Sequence, residues 1–327
     1  MRLSYKPPSG GFGGGYKEYS MKRLIRFPMA VVVLAFALVQ FSGCGSSDEN
    51  VLKKYASGES KFIDIDGLKV HYRDEGRGPV LLCLHGIQSS LHTWDGWVNL
   101  LKHKYRIIRI DLPGWGFTGP SNFGYNEIKT ITFLKKFIDA KGLKKINLAG
   151  NSYGGFLSWN FTRDYPDVVE KLILIDAGGY PFKAPLPVVL LTTPVIRDLS
   201  TLTPTPRFIV ATFVKEVYGT MSRVTQKTID RYYDLMMYDG NRKESVKFMI
   251  EARRQLETEP VGVNTIRAPT LIMWGKEDRW IPLHVMERFK KDIPHARVIV
   301  YEGAGHIPME EIPEATAKDA DAFLSGR

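Results

Sequence analysis

The sequence predicts an α/β fold in which a mostly parallel, eight-stranded sheet is flanked by helices and carries a helical cap inserted after its sixth strand. Short runs rich in Leu, Ile and Val alternate with amphipathic stretches of helical length from residue 60 onward. The later runs are apolar throughout, which is typical of parallel strands that are covered on both faces. The interval 177–268 breaks the alternation, because it holds prolines and amphipathic helical patterns but no strand pattern.

The predicted strands divide the folded part of the chain into a core in two segments and one insertion. The candidate strands lie at 61–65, 68–74, 80–86, 106–111, 145–150, 171–176, 269–274 and 297–302. The candidate helices outside the insertion lie at 90–103, 127–141, 153–165, 282–291 and 310–324. We therefore predict a first core segment at 60–176, a helical cap at 177–268 and a second core segment at 269–327.

The N-terminal residues differ in character from the rest of the chain. Residues 1–20 are rich in Gly and Ser and lack periodicity, so we predict a disordered segment or an upstream extension before a true start at Met21. A basic stretch then precedes residues 28–41, which carry no charge. A helix of that length spans about 21 Å at ~1.5 Å per residue, too short for a hydrocarbon core of ~30 Å. These features predict a signal peptide at 21–43.

The residues around Cys44 suggest how the chain is anchored. Small residues precede Cys44, and a polar linker rich in Ser, Asp, Glu and Asn follows it at 44–59. This pattern resembles a bacterial lipoprotein signal, although Phe41 stands where such signals usually carry an aliphatic residue. The resemblance implies a lipid-anchored protein of the cell envelope, on the periplasmic face of the outer membrane because Gly45 is not the Asp that commonly retains lipoproteins in the inner membrane. A plain signal peptide on a secreted or periplasmic protein and an uncleaved anchor are the alternatives.

The net charge of +10 does not indicate a nucleic-acid partner. Half of it lies in residues 1–43, where six Lys and Arg residues face one Glu, and the other basic residues are scattered. The second cysteine, Cys83, lies in an apolar run, which predicts a buried and unreactive thiol. The spacing of the Cys and His residues matches no metal site. We expect neither a metal nor a cofactor.

Ser152 lies where an apolar strand gives way to a helix, with Gly150 and Gly154 two residues to either side. A sharp strand-to-helix turn forces the residue at its tip towards positive φ, and side chains at the flanking positions would collide with the neighbouring strand and helix. The turn exposes the serine hydroxyl at the start of a helix, where N–H groups favour negative charge. These features predict a nucleophile rather than an ordinary turn serine.

A serine nucleophile needs a base, and the base needs a third group that fixes its tautomer. His306, in a glycine-rich loop after the last strand, is the candidate base, whereas we expect His92 on an exposed helix or turn. Asp278 follows the seventh strand and is the candidate for the third group. Asp176, at the end of the sixth strand, and Glu277 remain alternatives.

Five segments that follow one another along the chain carry a family resemblance. They are "LHGIQSS", "DLPGWGFTG", "GNSYGG", "GKEDRWIP" and "GAGHIPMEE". Together they resemble the signatures of the α/β-hydrolase superfamily over about residues 60–326. The resemblance is strongest to its capped branch of esterases, carbon–carbon bond hydrolases and haloperoxidase-like enzymes. Dehalogenase and epoxide-hydrolase relatives use an aspartate nucleophile, so serine at position 152 argues against both of those activities.

The resemblance implies roles for individual residues. Ser152 would be the nucleophile, His306 the base and Asp278 the acid that orients it. The backbone N–H groups of Ile87 and Tyr153 would form the oxyanion hole, which stabilises the charge that develops on the attacked carbonyl oxygen.

Other residues of these segments have structural or substrate-binding interpretations. We expect His85 to orient its loop and Asp111 to be satisfied locally within its turn. Gln88 and Trp94 follow the oxyanion loop and are expected to line the acyl side of the pocket. The cap stretch 181–196 either roofs an apolar cavity or packs against the core.

These observations predict a serine hydrolase that cleaves a carboxylic ester of a small-molecule acyl substrate through an acyl-enzyme. One alternative is a carbon–carbon bond hydrolase of vinylogous diketone acids, which would use the same three residues. The other is a non-catalytic ligand sensor or envelope scaffold with a hydrolase fold. A covalent fluorophosphonate label on Ser152 separates the two enzymes from the sensor, and oligomeric state is not predicted.

Overall fold

The computed structural model describes residues 47–56, 58–202 and 204–327. The predicted extension at 1–20, the predicted signal peptide at 21–43 and the predicted lipidation site Cys44 lie outside the described residues. Within the described residues, no helix combines the length and the apolar character that a membrane crossing requires.

In the described part of the chain, eight strands form one sheet in the order β1-β2-β4-β3-β5-β6-β7-β8. The strands are β1 (Ser60–Ile65), β2 (Leu68–Glu75), β3 (Val80–Leu84), β4 (Arg106–Ile110), β5 (Ile146–Asn151), β6 (Val169–Ile175), β7 (Thr270–Gly275) and β8 (Arg297–Tyr301). β2 pairs antiparallel with β1 and with β4, and all other neighbouring strands pair parallel. The sheet confirms the predicted fold class.

The described helices lie between the strands, before β1 and after β8. They are α1 (Asp48–Tyr55), α2 (Asp95–Leu101), α3 (Glu127–Ala140), α4 (Tyr153–Asp164), α5 (Leu186–Thr192), α6 (Pro194–Leu202), α7 (Arg207–Val217), α8 (Gln226–Met237), α9 (Asn241–Gln255), α10 (Leu283–Asp292), α11 (Pro308–Glu311) and α12 (Pro313–Leu324). Helices α5 to α9 all lie between β6 and β7, in the interval where the sequence shows helical patterns and no strand.

The two faces of the sheet bury alternate residues of each central strand. Leu82 and Leu84 of β3 belong to a core cluster with residues of α3 and α4, whereas Leu81 and Cys83 belong to a second cluster with residues of α2 and α12. This alternation follows from the two-residue period of a strand. Since helices cover both faces, β5 and β7 are buried at every residue. The burial of Cys83 also raises the pKa of its thiol well above the usual range, in agreement with an unreactive cysteine.

The predicted linker at 44–59 contains a helix, α1, which the sequence analysis missed. Val51 and Tyr55 lie one helical turn apart and are buried in a small cluster with Phe117 and Leu235. The Tyr55 hydroxyl also donates a hydrogen bond to Asp234 of α8, at 2.9 Å. Two apolar residues in an otherwise polar stretch give too weak a pattern for a sequence-based assignment, and the tertiary contacts stabilise the helix.

Candidate active site

Ser152 forms a strained turn between β5 and α4. Its backbone has φ +55° and ψ −115°, in the positive-φ region that residues other than glycine rarely adopt. A Cβ atom at Gly150 would lie 2.2 Å from the carbonyl oxygen of Gly154. A Cβ atom at Gly154 would lie 2.2 Å from the carbonyl oxygen of Leu84, in the adjacent strand β3. The predicted backbone strain and steric need for glycine are therefore both present.

His306 and Asp278 form a buried hydrogen-bonded pair. The distance from His306 Nδ1 to Asp278 Oδ2 is 2.8 Å, and the two side chains are 6% and 1% exposed. The other carboxylate oxygen of Asp278 accepts hydrogen bonds from the backbone N–H groups of Trp280 and Ile281, at 2.7 and 3.1 Å. With Asp278 ionised, Nδ1 of His306 carries a proton, which leaves Nε2 able to accept one.

Of the three acids that the sequence offered, Asp278 is the one that hydrogen-bonds to the His306 ring. Glu277 instead accepts a hydrogen bond from the backbone N–H of Gly303, at 2.8 Å. Asp176 accepts one from the backbone N–H of Gly275, at 2.9 Å, and is completely buried beside Asp278. The geometry therefore favours Asp278 over both alternatives.

Asn151 fixes the loop that carries His306, a role that the sequence analysis did not assign. Its Nδ2 donates hydrogen bonds to the backbone oxygens of His306, at 2.9 Å, and of Ile175, at 3.1 Å. The side chain therefore joins the ends of β5 and β6 to the loop after β8. An amide directly before Ser152, at the carboxyl end of a buried strand, is the sequence signal that could have identified this contact.

Glu311 connects the His306 loop to the insertion. Its carboxylate accepts hydrogen bonds from the backbone N–H groups of Gly305, Gly219 and Thr220, at 2.8 to 2.9 Å. In addition, the backbone N–H of His306 donates to the carbonyl oxygen of Val217, at 2.8 Å. The segment between α7 and α8 is thus hydrogen-bonded to the loop that carries the candidate base.

The residues expected to form an oxyanion hole lie next to Ser152. Tyr153 is the first residue of α4, so its N–H has no acceptor within the helix. A Cβ atom at Gly86 would lie 2.9 Å from Ser152 Cβ, which places the Gly86–Ile87 backbone directly beside the serine. Ile87 also lines the same pocket as Ser152. The structure therefore places the backbone of Ile87 and the N–H of Tyr153 next to Ser152.

His85 and Asp111 have structural roles, as the sequence indicated. Nδ1 of His85 donates to the carbonyl oxygen of Gly86, at 2.6 Å, and its Nε2 accepts from the backbone N–H of Leu112, at 2.9 Å. This pattern needs a neutral ring, and burial accordingly lowers the pKa of His85. Asp111 accepts hydrogen bonds from His71 Nδ1 and from the backbone N–H of Leu91. Burial alone would raise the pKa of the Asp111 carboxyl, but these neighbours outweigh it and lower that pKa to about 2.

A pocket with two lobes opens on Ser152 and His306. Lobe A holds about 580 Å³ of empty space, including its opening to solvent, and is bounded by Val210, Phe213, Val214, Val217, Tyr232 and Met236 of the insertion. Lobe B holds about 700 Å³ of empty space, again including its opening to solvent, and is bounded by Tyr180, Phe182, Val188, Phe248, Met249 and Leu256. Ile87, Ser152, Trp280 and His306 line both lobes. In the described part of the chain, no Lys, Arg, Asp or Glu side chain lines either lobe.

Of the two residues predicted to contact the substrate, one lines the pocket and the other does not. Gln88 lines lobe A. Trp94 does not line either lobe, because the short 3₁₀ helix Leu91–Trp94 turns inward and buries it in the core beside Trp97. The same inward turn buries His92, which is only 6% exposed, so the prediction of an exposed His92 was wrong.

Among the described residues, the cluster of potential metal ligands in this region is made of Asp176, Asp278 and His306, whose ligand atoms lie within 4.8 Å of one another. Asp278 and His306 are already hydrogen-bonded to each other, and Asp278 also accepts two backbone N–H groups. This arrangement is that of a proton-transfer pair rather than of a metal-ligand set. The expected absence of a metal stays a prediction.

Comparisons with known proteins agree with this geometry. A family model described as alpha/beta hydrolase fold matches residues 79–313. The chain is also similar to a protein of Paraburkholderia phymatum named 2-hydroxy-6-oxononadienedioate/2-hydroxy-6-oxononatrienedioate hydrolase, with 31% identical residues over an alignment of 265 residues. The match covers 76% of this chain and 89% of that protein.

Two solved structures show the same fold. One is a meta-cleavage product hydrolase from Pseudomonas fluorescens IP01, with a TM-score of 0.72 and 23% identity over 81% of this chain and 97% of the other. The second is a bacterial membrane phospholipase A, with a TM-score of 0.69 and 23% identity over 94% of this chain and 99% of the other. At this level of identity, both likenesses concern the fold alone.

Proposed function

Since the chain belongs to the alpha/beta hydrolase fold family, we propose that it is a serine hydrolase that cleaves neutral carboxylic esters. The observation that carries this proposal is the lining of the two lobes. Both lobes are apolar and meet at Ser152 and His306, and no Lys, Arg, Asp or Glu side chain of the described residues lines them. They suit a substrate with an apolar group on each side of the scissile carbonyl, because a buried unpaired charge would be strongly unfavourable.

The proposed reaction has two acyl-transfer steps. Nε2 of His306 accepts the proton of Ser152 as the hydroxyl attacks the carbonyl carbon, and Asp278 stabilises the resulting imidazolium. The N–H groups of Ile87 and Tyr153 stabilise the oxyanion. His306 then protonates the departing alcohol, and an acyl-serine remains. Water attacks the acyl-serine with His306 again as the base, and the acid and free Ser152 are released.

Hydrolysis of a carbon–carbon bond in a vinylogous diketone acid is the second candidate, and it is favoured by the similarity to the 2-hydroxy-6-oxononadienedioate/2-hydroxy-6-oxononatrienedioate hydrolase. Such a substrate carries a carboxylate, which would need a buried cation. Arg231 lines a small cavity that shares Gln88, Ser89 and Tyr232 with lobe A. However, Arg231 forms an ion pair with Glu310, which also accepts hydrogen bonds from the hydroxyls of Tyr218 and Tyr232. Its charge is thus already compensated within the protein, which favours the neutral ester.

A substrate panel separates the two candidates. We expect wild-type protein to hydrolyse neutral p-nitrophenyl esters, with kcat/KM rising as the acyl chain fills a lobe. The same ester with a carboxylate at the end of its acyl chain should react at least ~10²-fold more slowly, because its charge would be buried without a partner. The matched control is Ser152→Ala, which measures background hydrolysis. Faster turnover of a 2-hydroxy-6-oxo-dienoic acid than of every ester would establish the second candidate instead.

We also propose that Cys44 is lipidated, on the strength of the sequence pattern around it. If it is, Cys44→Ser should leave the precursor unprocessed and abolish metabolic labelling with a fatty-acid probe. The matched control is Cys83→Ser, since Cys83 is buried and should not affect the label. Unchanged fatty-acid labelling of Cys44→Ser would contradict the lipoprotein hypothesis. Membrane association alone is not a sufficient readout, because an uncleaved apolar segment could also retain the chain.

A further inference from the structure

Two carboxyl groups, those of Asp176 and Asp278, lie side by side behind the His306 ring. Asp176 directly follows β6 and Asp278 lies in the turn after β7, and these strands are parallel neighbours whose carboxyl ends meet. One carboxylate oxygen from each residue and a ring nitrogen of His306 lie within 4.8 Å of one another. The proposed reaction uses the Asp278 carboxylate and gives no role to Asp176.

The hydrogen bonds of Asp176 leave one of its oxygens unsatisfied. Asp176 is completely buried, and its Oδ1 accepts a hydrogen bond from the backbone N–H of Gly275. Its Oδ2 is also buried and accepts no hydrogen bond, and its hydrogen-bonding neighbour is the carboxylate of Asp278, which is itself an acceptor. The residue adopts φ +43°, so the surrounding structure holds it in an unfavourable backbone conformation. A buried polar atom without a hydrogen-bond donor or acceptor destabilises the folded state, so its presence needs a physical explanation.

The charges that face Asp176 do not favour a second carboxylate. Asp278 lies beside it and is hydrogen-bonded to His306, and the buried carboxylate of Glu311 is a second negative charge nearby. The neighbouring hydroxyl of Tyr301 is neutral and donates to Asp319, so it offers Asp176 no compensating charge. Burial first, and then the negative charge of Asp278, raise the pKa of Asp176 well above its ordinary value. The neutral form has an O–H group at the position of the unsatisfied oxygen.

We propose that Asp176 is kept as a neutral carboxylic acid whose Oδ2–H donates a hydrogen bond to Asp278 and thereby positions Asp278 against His306. Asp176 is then a positioning residue, and it leaves a single negative charge behind the imidazole. The inference rests on the proposed serine-hydrolase function. Raising the pH through the pKa of Asp176 removes the donor and adds a second negative charge next to Asp278, so the pair is disrupted on the alkaline side.

A matched pair of variants tests this inference. Asp176→Asn keeps an oxygen for the Gly275 N–H and an N–H donor for Asp278, whereas Asp176→Leu has the same number and branching of side-chain heavy atoms but no donor. The readout is the rate of Ser152 labelling by a fluorophosphonate, which does not depend on the natural substrate. We expect the wild-type rate to decline as the pH is raised through the pKa of Asp176. We expect Asp176→Asn to retain most of the wild-type rate and to lack this decline. Asp176→Leu should label at least ~10-fold more slowly, because the orientation of Asp278 is no longer fixed.

The labelling experiment separates a failure of this inference from a failure of the proposed function. Absence of labelling in wild type would overturn the proposed function and this inference together. If wild type is labelled but Asp176→Asn is labelled as slowly as Asp176→Leu, this inference alone is overturned. The same holds if Asp176→Asn shows the same alkaline decline as wild type. Should Asp176→Leu not fold, infrared difference spectra of wild type and Asp176→Asn at neutral pH provide the second measurement. A protonated-carboxyl C=O band that is lost in Asp176→Asn supports the inference, and its absence from wild type contradicts it.

Discussion

Replacing Asp278 by Asn should lower kcat by about 10⁴-fold while leaving the fold intact. The Asn oxygen can still accept the backbone N–H groups of Trp280 and Ile281, which Asp278 Oδ1 accepts in the wild type. The Asn amide, however, presents N–H donors to His306 Nδ1, which must then become an acceptor. The proton moves to Nε2, and the ring can no longer accept the proton of Ser152. The measurement is steady-state turnover of the best ester, with circular dichroism as the check on folding.

The matched control for Asp278→Asn is Glu277→Gln, one position away. Glu277 accepts a hydrogen bond from Gly303 N–H, and an amide oxygen can accept the same bond. This variant should therefore turn over within a few-fold of wild type. If Asp278→Asn stays active while Asp176→Asn is inactive, the third group of the triad is the residue after β6, and both our assignment of the acid and our inference about Asp176 are wrong.

The parts of the structure that follow from local patterns could be predicted from the sequence. The run "VLLCLHG" predicted a strand covered on both faces, and Leu81 and Leu82 do face opposite clusters. The glycines around Ser152 predicted its positive φ, because the steric cause acts within a few residues of chain. The His306–Asp278 pair could also be predicted from the sequence, because parallel strands end at one edge of a sheet and so bring their following loops together.

Contacts between distant segments could not be predicted in the same way. Glu311 accepts hydrogen bonds from Gly219 and Thr220, roughly 90 residues earlier in the chain, and no local pattern in "HIPMEE" specifies that contact. Trp94 shows the complementary limit. An aromatic residue shortly after the oxyanion loop suits a pocket wall and a core equally well, and the direction of a short 3₁₀ helix decided between them. The pairing of Asp176 with Asp278 likewise required the geometry of adjacent strands.

Replacing Gly154 by Val should reduce ester turnover and Ser152 labelling by about 10²-fold or more, whereas Gly178→Val should have a much smaller effect on labelling. A Cβ atom at Gly154 would lie 2.2 Å from the carbonyl oxygen of Leu84 and 2.6 Å from that of His85. Neither backbone atom can move without shifting β3 or the loop that carries Ile87. The start of α4, with Ser152 and the Tyr153 N–H, must therefore move, and a displacement of about 1 Å can cost roughly 10²-fold in rate.

Gly178 is the matched control because it also lies beside Ser152 but has room for a side chain. Its backbone N–H donates to the carbonyl oxygen of Ser152 at 3.0 Å, and the nearest atoms to an added Cβ are 3.6 Å away. Since the clash at Gly154 begins at Cβ itself, Gly154→Ala should already be impaired, which keeps the test informative if Gly154→Val does not fold. Both positions are compared by fluorophosphonate labelling after circular dichroism has established folding. If folded Gly154→Ala and Gly154→Val label as fast as wild type, the strained turn does not hold the nucleophile in place, and the glycines around Ser152 are ordinary turn residues.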